Sequence, residues 1–215
     1  MTVRANDSAV QAFLSRHKLT RVLLFAMHTI EPHYNWIEQY SACEDPRSPL
    51  FEAENSLEAY TNTIYGYYIH PQWDSLGSDT LFCKILFADY DEGVAVLEFI
   101  GEWNDAIEND IMELKRNILD ILVHEGIRKL IFIGENVFNF HGSDDEYYAE
   151  LFEEVEDGWI AGVNFQEHVA REMRQYNLDS YINFGGQLDD LPWRTYEPHR
   201  LFRVVDKLLQ RRLGV

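Results

Sequence analysis

The sequence predicts an α/β fold with a mixed, mostly parallel sheet, helices on both faces and one antiparallel hairpin. Strand-like and helix-like segments alternate through the second half of the chain, which is typical of parallel strands joined by right-handed crossovers. Two β-rich runs in the middle of the chain are joined by a short polar link. The 215 residues are 46% apolar, which is enough for one domain with a buried core.

The first half of the chain is predicted to consist of short elements. Residues 7–18 carry apolar side chains at helical spacing, and residues 21–27 form an apolar run of strand length. Prolines between residues 31 and 55 exclude one long helix, so we expect a short helix over 35–43 and then a loop. Residues 61–73 are aromatic and β-branched, which favours a strand.

The antiparallel hairpin is predicted over residues 80–103. Two β-rich runs, 80–90 and 93–103, flank the tripeptide Asp91-Glu92-Gly93. A short polar link that ends in glycine is typical of a hairpin between such runs.

The clearest helix is predicted over residues 105–125. Asn104 or Asp105 is expected to cap its start, and Gly126 suits the left-handed position after its end. Its apolar stripe recurs at steps of three and four residues and consists of Ile107, Ile111, Leu114, Ile118, Ile121 and Leu122.

Strands and helices are predicted to alternate after this helix. The expected elements are a strand over 127–133, a helix from a Ser143–Glu146 capping box to about 156, a strand over 158–163, a helix from Asn164 and Glu167 to about 176, a short strand over 181–184 and a helix over 198–213. No repeat or low-complexity tract divides the chain. Residues 1–215 are therefore predicted to form a single α/β domain, in which residues 31–60 are an insertion or a lid.

The charge balance excludes two classes of partner. The chain has 37 acidic and 18 basic residues, a net charge of −19. Such a chain repels a phosphate backbone and an anionic membrane surface, so neither a nucleic acid nor a membrane is expected as a partner. A basic protein partner or self-association is expected instead, although excess carboxylates also serve solubility alone.

The compartment is predicted from the N-terminus and the cysteines. Residues 1–7 are polar and lack the apolar core of a signal peptide. Cys43 and Cys83 are too few and too far apart to make a disulfide framework. A cytoplasmic protein with reduced cysteines, a soluble domain of bacterial type, is expected.

Polar residues follow the predicted parallel strands and form a candidate pocket. No phosphate loop, dinucleotide fingerprint or hydrolase motif is present, and no cofactor is indicated. Ligands of parallel α/β sheets bind beyond the carboxyl ends of the strands. The residues expected there, the first four of them in one long loop, are Glu135, Asn136, Asn139, His141, Asn164, His168 and Asn183.

Several of these residues also have a purely structural explanation. Asn164 suits a helix cap, and Asn183 precedes glycines in a turn. No fixed ligand spacing indicates a metal; the weak candidates are His141, Asp144 and Asp145. Asp144 and Asp145 equally suit the first turn of a helix, where the dipole favours acids.

The aromatic segment near residue 65 is a candidate interface. Tyr65, Tyr67 and Trp73 lie in a predicted strand, and aromatic side chains anchor protein interfaces. The alternative is that one face of this strand belongs to the core.

Two functions follow as hypotheses. The first is a non-enzymatic regulatory or interaction module with an acidic surface, for example an immunity-type inhibitor of a basic toxin. The alternative is a small-molecule or metal-dependent enzyme, hydrolase-like, with its site at the carboxyl ends of the parallel strands.

Overall fold

A computed structural model describes residues 30–56 and 58–213. The helix expected over 7–18 and the strand expected over 21–27 lie outside these residues. The strands described are β1 (Thr63–Ile64), β2 (Tyr67–Tyr68), β3 (Asp74–Ser75), β4 (Leu81–Asp89), β5 (Val94–Asn104), β6 (Lys129–His141) and β7 (Trp159–Val163).

Five strands form the central sheet in the order β3-β4-β5-β6-β7. The pairs β3–β4 and β4–β5 are antiparallel, whereas β5–β6 and β6–β7 are parallel. A parallel bridge between Ala161 and Asn183 adds a sixth position at the edge. The mixed, mostly parallel sheet and the hairpin over 80–103 are thus confirmed. Strands β1 and β2 pair separately as a small hairpin.

Helices cover both faces of the sheet, as predicted. They are α1, made of Asp110–Leu114, the π-helical Lys115–Leu119 and Asp120–His124, then α2 (Glu146–Glu154), α3 (Glu167–Gln175) and α4 (Pro198–Leu213). Alternate residues of β5 point to opposite faces. Leu97 belongs to a buried cluster with α1, α2 and α3, whereas Val96 belongs to a second cluster with Leu201 and Val205 of α4.

The start of α1 differs from the prediction. The helix begins at Asp110, and Ile107 of the expected stripe is 80% exposed. The residue before the helix is Asn109, which has a left-handed backbone (φ 54°) and no side-chain cap bond. Asp105 lies outside the helix but accepts the backbone N–H of Ile111 at 2.9 Å, so it satisfies a first-turn donor without being the N-cap.

Four further predictions about short segments are also wrong. Residues 35–43 form hydrogen-bonded turns and no helix, in keeping with the prolines around them. The strand expected over 61–73 is divided by a turn at Tyr65 and Gly66, both at positive φ. Neither Ser143 nor Asn164 caps a helix, because α2 and α3 follow Asp145 and Gln166. In place of the short strand over 181–184 there is a single bridge at Asn183.

Strand β6 is much longer than the predicted strand over 127–133. It continues to His141 because β5 offers a partner as far as Asn104. The long loop expected over Glu135–His141 is therefore wrong, and its polar residues lie on a strand. Among the described residues, no helix is long and apolar enough to cross a membrane.

Candidate functional site

A buried carboxylate lies in the middle of β5. Glu98 has 0% exposure, and its Oε1 accepts from Arg194 Nη2 at 3.0 Å and from Asn136 Nδ2 at 3.4 Å. Its Oε2 accepts the backbone N–H of His33 at 2.9 Å. This one side chain therefore joins β5 to β6, to the turn before α4 and to the segment that precedes the turns at 35–43.

A second carboxylate binds the same guanidinium. Glu135 forms an ion pair with Arg194 Nη1 and accepts from Trp193 Nε1 at 3.1 Å. The guanidinium carbon lies 4.4 Å from the centroid of the Trp193 ring, a cation–π distance. Arg194 is thus shared by Glu98 and Glu135, and the three form what we call the Glu98 cluster.

Burial sets the protonation of this cluster. It raises the pKa of Glu98 to about 7, against the opposing effects of the His33 N–H and of Arg194. It lowers the pKa of the His33 imidazole to about 4, and Arg194 adds to this shift. His33 packs edge-on against Trp36 and Trp193, with ring centroids 5.0 and 4.9 Å away. Near neutral pH the carboxyl of Glu98 is therefore partly protonated, and the His33 imidazole is uncharged.

The seven residues of the predicted pocket separate in the structure. Glu135 and Asn136 belong to or contact the Glu98 cluster. The other five are engaged elsewhere, mostly by main-chain groups: Asn139 with Tyr65, His141 with Glu102, Asn164 with the backbone of Leu191, His168 with the carbonyl of Phe138, and Asn183 with the carbonyl of Ile160. Five of the seven side chains thus bind partners outside the cluster.

The weak metal candidates are held by other groups. Asp144 accepts the backbone N–H of Glu146 at 3.3 Å, and Asp145 accepts the Tyr181 hydroxyl at 2.9 Å. Within residues 30–56 and 58–213, no group of three or more His, Cys, Asp or Glu side chains could hold a metal ion.

The segment from Pro32 to Asn55 packs beside β4 and contributes to both buried clusters, Trp36 to the one with α4 and Ala42 to the one with α1. It is tied down by the His33 N–H and by Trp36 Nε1, which donates to the carbonyl of Tyr196 at 2.9 Å. Between it and β4 lies a cavity of about 310 Å³. Lys84 lines this cavity and is the register partner of Glu98 across the β4–β5 ladder.

The candidate interface is only partly accessible. Tyr65 and Tyr67 are 59% and 63% exposed, whereas Trp73 is 1% exposed. The indole of Trp73 donates to the carbonyl of Ile30 at 3.1 Å and packs in a small core with Ile64. The two tyrosines can meet a partner, and Trp73 instead supports the hairpin beneath them.

Sequence reasoning missed the central residue of this site. Glu98 alternates with the core residues Val94 and Val96, so an acid at an inward strand position was the available signal. Arg194 gave no local signal, because it is 96 residues away in the chain. No protein-family model matches the chain, and no similar sequence was found among curated proteins.

Proposed function

We propose that this protein is a non-enzymatic interaction module that binds a basic partner protein through exposed tyrosines and the carboxylates around them. The observation that supports it most is the tyrosine turn, which we define as Tyr65, Tyr67 and Tyr68. These side chains are 59%, 63% and 39% exposed. Large aromatic side chains at the surface of a rigid element are typical anchors of protein interfaces.

The backbone presents the tyrosine turn in one conformation. Tyr65 and Gly66 have φ of 52° and 79°, the two positive values of a tight hairpin turn. Ile64 and Ile69 on either side are buried against Trp73. A preorganised tyrosine has few torsions to lose on binding, so it costs little conformational entropy.

The charge around this part of the chain favours a basic partner. Residues 48–114 contain 14 acidic residues and one basic residue, Lys84. The exposed acidic side chains there are Glu52, Glu54, Glu58, Asp79, Asp91, Glu92 and Glu108. Complementary charge speeds encounter and selects the partner's sign.

The geometry supports the enzyme hypothesis less well. Five of the seven polar side chains that it requires at one place bind other groups, such as the backbone of Leu191 for Asn164. Their hydrogen bonds hold the chain together and leave few groups free for substrate.

The test is a quantitative affinity capture with three forms of the full chain. These are the wild type, the Tyr65→Ser/Tyr67→Ser variant and the control Phe152→Ser, whose side chain is 44% exposed on α2. We expect a basic protein to bind the wild type and the control, and to bind the tyrosine variant at least about tenfold more weakly with purified components. Its affinity should fall as salt is raised.

Two results would refute this function. One is that the same proteins bind all three forms equally. The other is a dimer of this chain, seen by sedimentation, that the Tyr65→Ser/Tyr67→Ser variant breaks, because the partner would then be a second copy.

A further inference from the structure

The cavity beneath the segment 32–55 has an apolar wall. It measures about 310 Å³, which is within the range of pockets that hold one small molecule. The apolar side chains that line it are Pro32, Ile37, Ala42, Leu50, Ala53, Ile85 and Leu86. A short aliphatic or aromatic group would be well accommodated there.

The polar part of the cavity is an ion pair that is only partly satisfied. Asp74 is 5% exposed; its Oδ1 accepts from Asn55 Nδ2 and from Lys84 Nζ, the latter at 3.3 Å. Its Oδ2 lies 3.1 Å from Lys84 Nζ but has no donor in hydrogen-bond geometry. This oxygen is enclosed by protein atoms, so a ligand donor reaches it only when neighbouring side chains shift. The cost of a buried carboxylate oxygen without a donor favours that shift.

Lys84 supplies the positive charge of this ion pair. Its ammonium has three N–H donors, and both of its contacts are to the one carboxylate of Asp74. The side chain is 23% exposed and lines the same cavity. An anionic group on the ligand can therefore bind Lys84 without displacing Asp74.

We propose that this cavity binds a small zwitterion with an apolar side chain, the chemistry of an apolar α-amino acid. The ligand's ammonium donates to Asp74 Oδ2, and its carboxylate accepts from Lys84 Nζ. The ligand's side chain packs between Leu50 of the segment 32–55 and Ile85 of β4.

The neighbouring opposite charges of Asp74 and Lys84 select a zwitterion. An amine alone would compete with Lys84 for Asp74 and gain no anion partner of its own. A carboxylate alone would approach Asp74 and leave the Oδ2 atom without a donor. A molecule with both groups on one carbon satisfies both sides of the pair, as charge-assisted hydrogen bonds require.

The first experiment is isothermal titration calorimetry of the full chain with L-leucine and L-phenylalanine. The controls are 3-methylbutylamine and 4-methylpentanoate, which are leucine without its carboxylate and without its ammonium. We expect one of the amino acids to bind, and each control to bind at least about tenfold more weakly. No binding of either amino acid at millimolar concentration, or equal binding of a control, overturns the proposal.

Three variants locate the site. Asp74→Asn and Lys84→Met should each weaken amino-acid binding at least about tenfold, whereas Lys207→Met, an exposed lysine of α4, should not. Ala53 belongs to the segment 32–55 and lines the cavity. Ala53→Phe fills the cavity and leaves the Asp74–Lys84 ion pair in place, so it should also abolish amino-acid binding. If Asp74→Asn or Lys84→Met fails to fold, the Ala53→Phe variant tests the site instead. Unchanged amino-acid binding in Ala53→Phe would overturn the site.

Discussion

Two buried carboxylates, Glu98 within β5 and Asp105 directly after its end, are satisfied in different ways. Asp105 is 4% exposed and accepts from three neutral donors: Trp103 Nε1 at 3.1 Å, the Ile111 N–H at 2.9 Å and the Tyr148 hydroxyl at 2.6 Å. Glu98 instead relies on a charged donor, Arg194, which it shares with a second carboxylate.

The difference shows how each acid supports the fold. Two of the donors to Asp105 lie two and six residues away in the chain, so this acid fixes the local junction between β5 and α1. The partners of Glu98 lie 38, 65 and 96 residues away, so it joins segments that have no local reason to meet. Neutral donors do not compensate the negative charge of a buried carboxylate. A cation does compensate it, but a single substitution can remove that cation.

The largest expected effect comes from removing that cation. Arg194→Met leaves Glu98 and Glu135 without their guanidinium, and removing one partner of a buried pair is strongly destabilising. We expect the free energy of unfolding at pH 8 to fall by about 3 kcal/mol, measured by urea denaturation. This is the lower end of the range for buried pairs, because the arginine side chain is 43% exposed.

Arg203→Met, an exposed arginine of α4, is the matched control, with an expected change within about 0.5 kcal/mol. Equal losses in the two variants would mean that the guanidinium contributes nothing specific to Glu98.

A smaller loss is expected at the Asp105 site. Tyr148 is 1% exposed, and Tyr148→Phe removes only the hydroxyl that donates to Asp105 Oδ2. A buried acceptor that loses one donor of three should cost about 2 kcal/mol in the free energy of unfolding. The matched control is Tyr147→Phe on the neighbouring, partly exposed side chain. An unchanged midpoint in Tyr148→Phe would show that the Asp105 site is satisfied without its tyrosine.

The two acids should also be distinguished by pH. Burial raises the folded-state pKa of Glu98 to about 7 and that of Asp105 to about 6. Each raised pKa means that the folded state holds a proton that the unfolded state has lost, so stability falls as pH rises through that value. For Glu98 the loss between pH 6 and pH 8 is about 1 kcal/mol.

Glu98→Gln should therefore remove this part of the pH dependence, when its unfolding free energy is compared with that of the wild type across pH 6–8. Asp105→Asn should instead change the pH dependence of the unfolding free energy mainly below pH 6. A wild-type slope that survives in Glu98→Gln would assign the titration to another group.

The sequence predicted the elements whose signals are local. The hairpin over 80–103, strand β7 and helix α4 follow from alternation, from the polar link before Gly93 and from Pro198. The length of β6 did not follow, because Glu135 to His141 form a strand only beside the long β5. The Glu98 cluster could not be predicted for the same reason, because its residues come together only through contacts between distant segments of the chain.

The candidate interface shows the same limit. Tyr65, Tyr67 and Trp73 have the same kind of aromatic signal in the sequence, yet two are exposed and the third is buried. Which of them is covered depends on where β1 and β2 turn over Ile100, and that contact is not encoded within the segment itself.

The smallest effect is expected at a third carboxylate, Glu102 of β5, which pairs with His141. The imidazole of this pair is 52% exposed, although the Glu102 side chain is only 11% exposed, and ion pairs that reach solvent contribute about 0.5 kcal/mol. His141→Gln should therefore lower the free energy of unfolding by that amount at pH 5.5 and low salt, and by nothing measurable in about 1 M salt, where the Debye length is roughly 3 Å. The Arg194→Met effect should persist in high salt because Glu98 is shielded from solvent. If salt abolished both effects equally, the contrast between the buried Glu98 cluster and the Glu102–His141 pair, whose imidazole faces solvent, would not hold.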